Sequence, residues 1–429
     1  MTKNDSEPRS VSGVKPYELP AGWKWTMLGE VCQKIKRGKS PKYVGKSRTL
    51  VFAQKCNQPD GTISLEKTLF LNDDLLSKYK ENDFVKNGDV LINSTGTGTI
   101  GRVGYFNKSI LSPNLRLVTD THVTTVRCND NNCPKFFYFF LKQKENYLEL
   151  KGVGTTNMKE LHADVLEKLP FPLPPTLAEQ QRIVSRIESL FKKLDEAKDK
   201  AQSVVDGFEL RRAAILHKAF TNQLKIENGK LKDGDWEEKS FSELGSANLG
   251  KMLDANKNTG DDVQYLRNVN VRWFDFDLSD LMTMKAKPEE IKKLSVKKAD
   301  LFICEGGEPG RCAVWKNEDS DMIFQKAIHR FRPNADVSSD FIAYELYYLN
   351  QIGKLSEYFT GTTIKYLTGQ SLAKIPIKLP PLNYQLSIVN FLDTVLEKES
   401  RAKEAAGAVL DQIALLKKSI LARAFRGEI

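Results

Sequence analysis

Residues 210–224, LRRAAILHKAFTNQL, return as LLKKSILARAFRGEI at 415–429, a shift of 205 positions. The echo extends back along the chain. PLPPTLAEQQRIV (172–184) answers KLPPLNYQLSIV (378–389), VGTTNMKEL (153–161) answers TGTTIKYL (360–367), and DVLINSTGTGTIGRVGYF (89–106) answers DLFICEGGEPGRCAVW (300–315). Trp23 answers Trp236. A tandem copy this long requires one fold to form twice and to bury its apolar face twice. The shift grows towards the N-terminal part of each copy, so insertions collect there. The C-terminal part keeps its register, as expected of a helix locked against a partner rather than a loop.

That C-terminal part carries a heptad seam in both copies. In the first it runs Ile183, Ile187, Leu190, Leu194, Phe208 and Ile215, with a miss at Arg211. In the second it runs Ile388, Leu392, Val395, Ile413, Leu416 and Ile420, with a miss at Glu399. Each seam occupies roughly 40 residues, a helix of about 60 Å. Two such helices in matching register are most simply explained by packing on each other. Each follows a period-two strand stopped by a Pro pair, Pro174-Pro175 and Pro380-Pro381. Thr176 with Glu179 forms a capping box, and Asn383 is the expected second cap.

The coarse pattern elsewhere is mixed α/β (α+β). Strands are expected at Asp89–Asn93, Arg102–Tyr105 and Val123–Val126, with counterparts at Asp300–Cys304, Arg311–Trp315 and Ala327–Phe331. Helices are expected at Pro134–Leu150 and Ser339–Phe359. The expected layout is a disordered tail over 1–14, a first domain over 15–175, a long helix over 176–220 and a polar linker over 221–235. A second domain over 236–381 and a second long helix with a short tail over 382–429 complete it.

Composition narrows the function. Hydrophobic residues make up 40% and charged residues 28%, a globular balance. No apolar run is long enough to span a membrane, and the first residues do not resemble a signal peptide, so a cytoplasmic protein without a membrane partner is expected. Six scattered cysteines fit reduced thiols better than a disulfide framework, and Cys128 and Cys133 lack companions for a zinc site. The net charge of +10 suggests a polyanionic partner.

No catalytic pattern survives inspection. Gly96–Gly101 spells G-x-G-x-x-G, but a strand follows it where a dinucleotide site needs a helix. Leucine precedes both Pro-Pro pairs, where amino-methyltransferases place a polarising Asp, Asn or Ser. The four histidines do not recur between copies, and a duplicated enzyme would show its site twice. No catalytic, cofactor-binding or metal-ligating residue is therefore assigned.

Small polar and basic residues beside glycine do recur: Gly38-Lys39 with Gly250-Lys251, Gly101-Arg102 with Gly310-Arg311, and Gly154-Thr155-Thr156 with Gly361-Thr362-Thr363. Hydroxyls, cations and backbone N–H groups are the usual donors to phosphate. Candidate nucleic-acid contacts are therefore Lys39, Thr97, Thr99, Arg102, Thr155, Thr156, Asn157 and Lys159, with Lys251, Arg311, Thr362, Thr363 and Lys365. Base readers should differ between copies, which points to Lys36, Arg37, Gln54 and Lys55, and to Arg267, Asn268, Asn270 and Arg272. The alternative for each is a solvated turn of the scaffold.

Taken in order, LPAGW (19–23), GDVLI (88–92), Gly101-Arg102, Gly154–Thr156, LPP (173–175), QQRIV (180–184) and the closing ILARAF (420–425) resemble the specificity subunit of type I restriction-modification systems. The resemblance implies a non-catalytic reader of double-stranded DNA. Its two target-recognition domains would bind the halves of a split, asymmetric site, and its long helices would form an antiparallel coiled coil with a pseudo-two-fold repeat. It also implies two modification (methyltransferase) subunits, which bind S-adenosylmethionine, and restriction subunits, which use ATP and Mg; this chain would hold no cofactor. The second copy departs from the pattern in lacking LPxGW and in carrying Glu305 and Glu308 in its Gly-Arg turn. A coiled-coil adaptor with two protein-binding domains is the competing expectation.

Overall fold

The computed structural model describes residues 16–155, 158–221, 223–226, 229–230, 236–254, 256 and 258–429. The tail expected to be disordered, 1–14, lies outside the described residues, as do 222, 227–228 and 231–235 of the expected linker. Within that linker Lys225–Ile226 pairs with Gly229–Lys230 as a two-residue ladder. The chain divides into two compact units, one comprising residues up to Ala201 together with Ala408–Ile429, the other Gln202–Gly407.

The first unit is built on two four-stranded sheets. One has the order Cys32–Arg37, Val123–Cys128, Val90–Asn93 and Val103–Tyr105, all antiparallel. The other runs Tyr43–Val44, Leu69–Leu71, Thr49–Phe52 and Arg116–Thr119, its last pair parallel. Lys24–Met27 pairs with Pro170–Leu173. The second unit repeats the plan. Its four-stranded sheet is Gly245–Leu249, Ile328–Pro333, Leu301–Cys304 and Cys312–Val314. Its smaller sheet has three strands, Met282–Ala286, Asp261–Leu266 and Ile323–Phe324, again with one parallel pair. Glu237–Ser240 pairs with Pro376–Leu379.

The expected helix over Pro134–Leu150 is two helices, Pro134–Gln143 and Glu145–Leu150, broken at Lys144. Its counterpart ends at Gln351, because Gly353 takes a left-handed conformation (φ +78) and a 3-10 turn, Lys354–Tyr358, follows. Phe136, Phe137 and Phe140 pack with Phe171 and Phe425 in the first core. Trp23 lies against Phe136 and Trp236 against Phe341, so the matched tryptophans sit on matched phenylalanines.

Two buried polar devices recur, and the sequence pattern alone did not reveal their purpose. In the first unit Arg127 grips Asp89 with both arms (2.7 and 2.6 Å); in the second Arg332 grips Asp300 likewise (2.6 and 3.0 Å). The Gln of the QxxIV motif is buried in both units. Gln180 accepts the N–H of Cys133 and Gln385 that of Ser338, each at 2.8 Å, and so each satisfies an orphan donor where the Phe136 helix or its counterpart begins.

The long helices run over Leu177–Asp206, Phe208–Phe220 and Leu382–Ala424. The expected unbroken helix over 176–220 is thus interrupted at Gly207, the poorest helix former short of proline. Arg211 Nη2 bonds the Val204 carbonyl beside the break (2.9 Å). Thr176 caps, its Oγ1 accepting from Glu179 N–H at 3.2 Å, but the expected box is only half formed, because the Glu179 carboxylate turns to Arg182 (2.8 and 2.9 Å). Asn383 does not cap: the second helix starts at Leu382, directly after the prolines.

In the first unit Arg182 reaches the carbonyl of Ile429 (3.0 Å) and Lys417 pairs with Asp195. In the second, Glu209 pairs with Lys403 (3.6 Å) and Arg211 with Glu399 (2.8 Å). In each unit the numbering rises along one helix as it falls along the other. The two polar misses in the seam, Arg211 and Glu399, therefore meet each other. Ile183, Ile187, Phe208, Ile388, Leu392 and Ile413 are buried, whereas Leu190, Leu194, Ile215, Val395 and Ile420 are half-buried. Leu416 departs from the expectation, being 47% exposed. The seam steps by four from Ile413 to Lys417, whose ammonium lies 5.0 Å from the Phe191 ring centre and takes the place expected for leucine.

Candidate nucleic-acid interface

In both units an inner strand of the main sheet runs into a glycine turn that folds back on it: Gly101 N–H bonds Asn93 O (2.8 Å), and Gly310 N–H bonds Cys304 O (2.9 Å). The arginine that follows is tied to a 3-10 segment after the neighbouring sheet. Arg102 Nη1 donates to Asn57 O (3.0 Å), and Arg311 Nη2 donates to Asn268 O (2.8 Å). A third segment closes the site, since Leu161 N–H reaches Ser94 O and Leu367 N–H reaches Glu305 O, both at 2.8 Å. Turn, 3-10 segment and threonine hairpin, the last being Val153–Thr155 paired with Met158–Glu160 and, in the second unit, the loop bridged at Thr360 and Tyr366, are thereby brought together twice.

Glycine is required where side chains crowd the turn. A Cβ on Gly96 would stand 2.4 Å from Gln54 Oε1, and one on Gly307 would stand 2.6 Å from Asn268 Nδ2; both glycines have positive φ. Gln54 Oε1 also accepts from Thr95 Oγ1 (3.3 Å), which lies 2.7 Å from His122 Nδ1. The backbone N–H of His122 donates to Asp120 Oδ1 (2.9 Å), and burial pushes that carboxyl above the usual range. Thr95, His122 and Asp120 were not singled out by motif, because none recurs in the second copy. Arg37 pairs with Glu160, which bridges back to Thr95.

The candidates thus separate. Lys36, Lys55, Thr97 and Lys159 in the first unit, and Arg272, Thr362, Thr363 and Lys365 in the second, are exposed. Lys36 lies 3.9 Å from Asp83, Arg272 lies 3.5 Å from Asp277, and Lys365 bonds Gly361 O at 2.8 Å. Thr99, Arg267 and Asn268 are half-buried; Arg267 pairs with Asp280 (2.6 Å), and Asn268 bonds Gly306 O (3.2 Å). Of Thr155 only the backbone strand is described, and Thr156 and Asn157 lie outside the described residues.

One expectation needs correction, and another gains a second explanation. Asn270 is 2% exposed; its Nδ2 bonds the carbonyls of Asp277 and Asp280 and its Oδ1 accepts from Arg267 N–H, which leaves no free group to read a base. The repeated Gly-Lys pair has a part in the scaffold. A Cβ on Gly38 would meet Thr119 O at 1.9 Å and one on Gly250 would meet Phe324 O at 2.0 Å, so both glycines let the chain pass the end of the parallel strand. Lys39 is then neutralised by Asp83 (2.6 Å) and Lys251 by Glu290 (2.5 Å). Among the described residues no cluster of ligating side chains could hold a metal ion, and no helix is long and apolar enough to cross a membrane.

Known proteins share this architecture. The EcoBI type I restriction enzyme specificity subunit of Escherichia coli is 22% identical over 351 residues, which cover 77% of this chain and 73% of that one. The crystal structure of the HsdS subunit from Thermoanaerobacter tengcongensis superposes with a TM-score of 0.66 at 19% identity, over 96% of this chain and 99% of its own. A chain from a structure concerning assembly and conformational transition of the type I R-M system gives 0.67 at 19% identity, over 96% and 100%. The family model of the type I restriction modification DNA specificity domain matches residues 20–204 and again 233–406. With two copies of that domain spanning most of its length, the chain belongs to the type I restriction-modification DNA specificity family.

Proposed function

We propose that this chain is the sequence-reading subunit of a type I restriction-modification complex, each unit contacting one half of a bipartite, asymmetric DNA site. The observation that carries this reading is the doubled turn assembly. A shared frame of glycine turn, tied arginine and threonine hairpin recurs, while the side chains mounted on it differ between units. A shared frame suits the common phosphate backbone, and differing side chains suit two different half-sites. The long helices act as a pseudo-two-fold antiparallel coiled coil that sets the spacing of the half-sites; the meeting of Arg211 with Glu399 supports this, because a polar pair within a seam fixes register. The chain itself performs no chemistry. Two modification subunits carrying S-adenosylmethionine methylate the DNA, and restriction subunits using ATP and Mg cleave it.

The test is an exchange of residues 15–168 for the matching domain of a relative, read by genome-wide methylation mapping. One half-site should change and the other persist. Alteration of both halves would falsify the modular reading.

A further inference from the structure

The two units differ sharply at one matched core position. Pro134 and Ser339 open equivalent helices 205 positions apart, so Phe140 of the first corresponds to Glu345 of the second. Phe140 is fully buried, with its ring 4.9 Å from Phe171 and 5.4 Å from Phe425. At the same shift Phe425 corresponds to Phe220, which lies 5.4 Å from Phe341 and stacks on Tyr348 at 5.3 Å. In place of a phenylalanine plug, the second unit has a cavity of about 280 Å³ lined by Phe220, Tyr348, Leu349, Ile375 and Glu345. Glu345 is 4% exposed, yet its Oε2 has no hydrogen-bond partner.

A buried carboxyl group with an unused oxygen is costly and calls for a donor. The other charged residues of the cavity, Glu238, Glu357, Lys354 and Lys378, are exposed and balance one another in sign. Glu345 is therefore the one buried charged residue among those lining the cavity. A guanidinium suits such a place better than an ammonium: it is weakly hydrated, stacks on aromatic faces and forks onto a carboxylate.

We propose that this cavity is a binding site for an alkylguanidinium group, which pairs with the Glu345 carboxylate while its stem lies along Phe220 and Ile375. Free arginine-like solutes and an arginine side chain of an assembly partner share that chemistry. When the site is empty, burial pushes the Glu345 carboxyl up to about 8, while Lys378 and Lys354 pull the other way. Entry of the cation thus expels the carboxyl proton to solvent, and affinity rises by roughly tenfold per pH unit up to about that pKa. The groups facing it are Lys378 and Glu238 on the paired strands, Lys354, Glu357 and Tyr358 on the 3-10 turn, and Tyr348, whose hydroxyl lies 3.0 Å from His217 Nδ1.

The experiment is calorimetric titration of the full chain with ethylguanidine at pH 6.5 and pH 8.5. One saturable site is expected, tighter at the higher pH, and lost in both Glu345→Gln and Glu345→Phe. The second variant installs the residue of the other unit and should raise thermal stability. No binding, or binding unchanged in folded Glu345→Gln, overturns the proposal and leaves a water-filled cavity. A second arm, which rests on the proposed function, repeats the titration after assembly with the modification subunits. Retained binding identifies a free solute as the ligand, whereas blocked binding together with weakened assembly by Glu345→Gln identifies a partner's arginine. Both variants should keep the half-site preference of the parent; failure of the domain exchange in a parent chain that binds ethylguanidine normally would count against the DNA reading and not against this site.

Discussion

The two units hold the same buried aspartate by different means. In the first, one arginine, Arg127, grips Asp89, and its side chain is only 9% exposed. In the second, Arg332 does the gripping but is 34% exposed, and a second arginine, Arg330, stands 4.0 Å from Asp300 with its Nη groups on the Lys293 and Ser295 carbonyls. The difference teaches that duplication preserved the job and let the parts drift. The same holds in the core, where Phe425 is enclosed by Phe136 and Phe140 whereas Phe220 has one flank on a cavity.

Substitutions at matched positions sharpen that comparison. Phe425→Ala should cost the first unit about 3–5 kcal/mol, and Phe220→Ala should cost the second less because space already lies beside it. Hydrogen exchange resolved by unit measures both, and equal losses would erase the distinction. Arg127→Met should cost about 3–5 kcal/mol by stranding Asp89, with Arg332→Met costing less because Arg330 remains near the carboxylate. Denaturant unfolding followed separately in each unit decides the order.

The units should also respond to pH in opposite senses. Glu345 rises from 4.5 to about 8 through burial, so the native second unit keeps a proton that the unfolded chain has lost, and its stability falls as pH climbs through that window. Lys34 drops from 10.5 to about 8 through burial, aided by Arg127, so the native first unit sheds a proton that the unfolded chain still holds. Its stability therefore gains between about pH 8 and 10.5. Glu345→Gln and Lys34→Met should flatten the respective slopes in pH-dependent melting. The smallest effect concerns DNA. Lys55→Ala and Lys365→Ala should each reduce the salt dependence of binding by about one ion, while Lys39→Ala and Lys251→Ala leave it unchanged. A reduced slope for Lys39→Ala would return the Gly-Lys motif to the interface.

What the sequence disclosed follows from what repeats. The glycine turns, the QxxIV glutamine and the seam were visible because both copies keep them, and the strands around Val90–Asn93 and Leu301–Cys304 came within a residue of their expected starts. Partnership was hidden. Nothing local marks Lys39 as the mate of Asp83, or tells that Asn270 spends its amide on its own loop, because those pairings depend on loops that differ in length between copies. Leu416 misled because a heptad drifts on a helix of 3.6 residues per turn, and one step of four restores it.

The first core includes Leu421, Ala424 and Phe425, whereas the second unit is one uninterrupted stretch, Gln202–Gly407. On the ribosome the half made first must therefore wait, its phenylalanines exposed, until the later half has emerged and already closed. The order of synthesis and the order of completion are reversed, and a nascent chain stalled before residue 421 would carry a finished second unit beside an unfinished first.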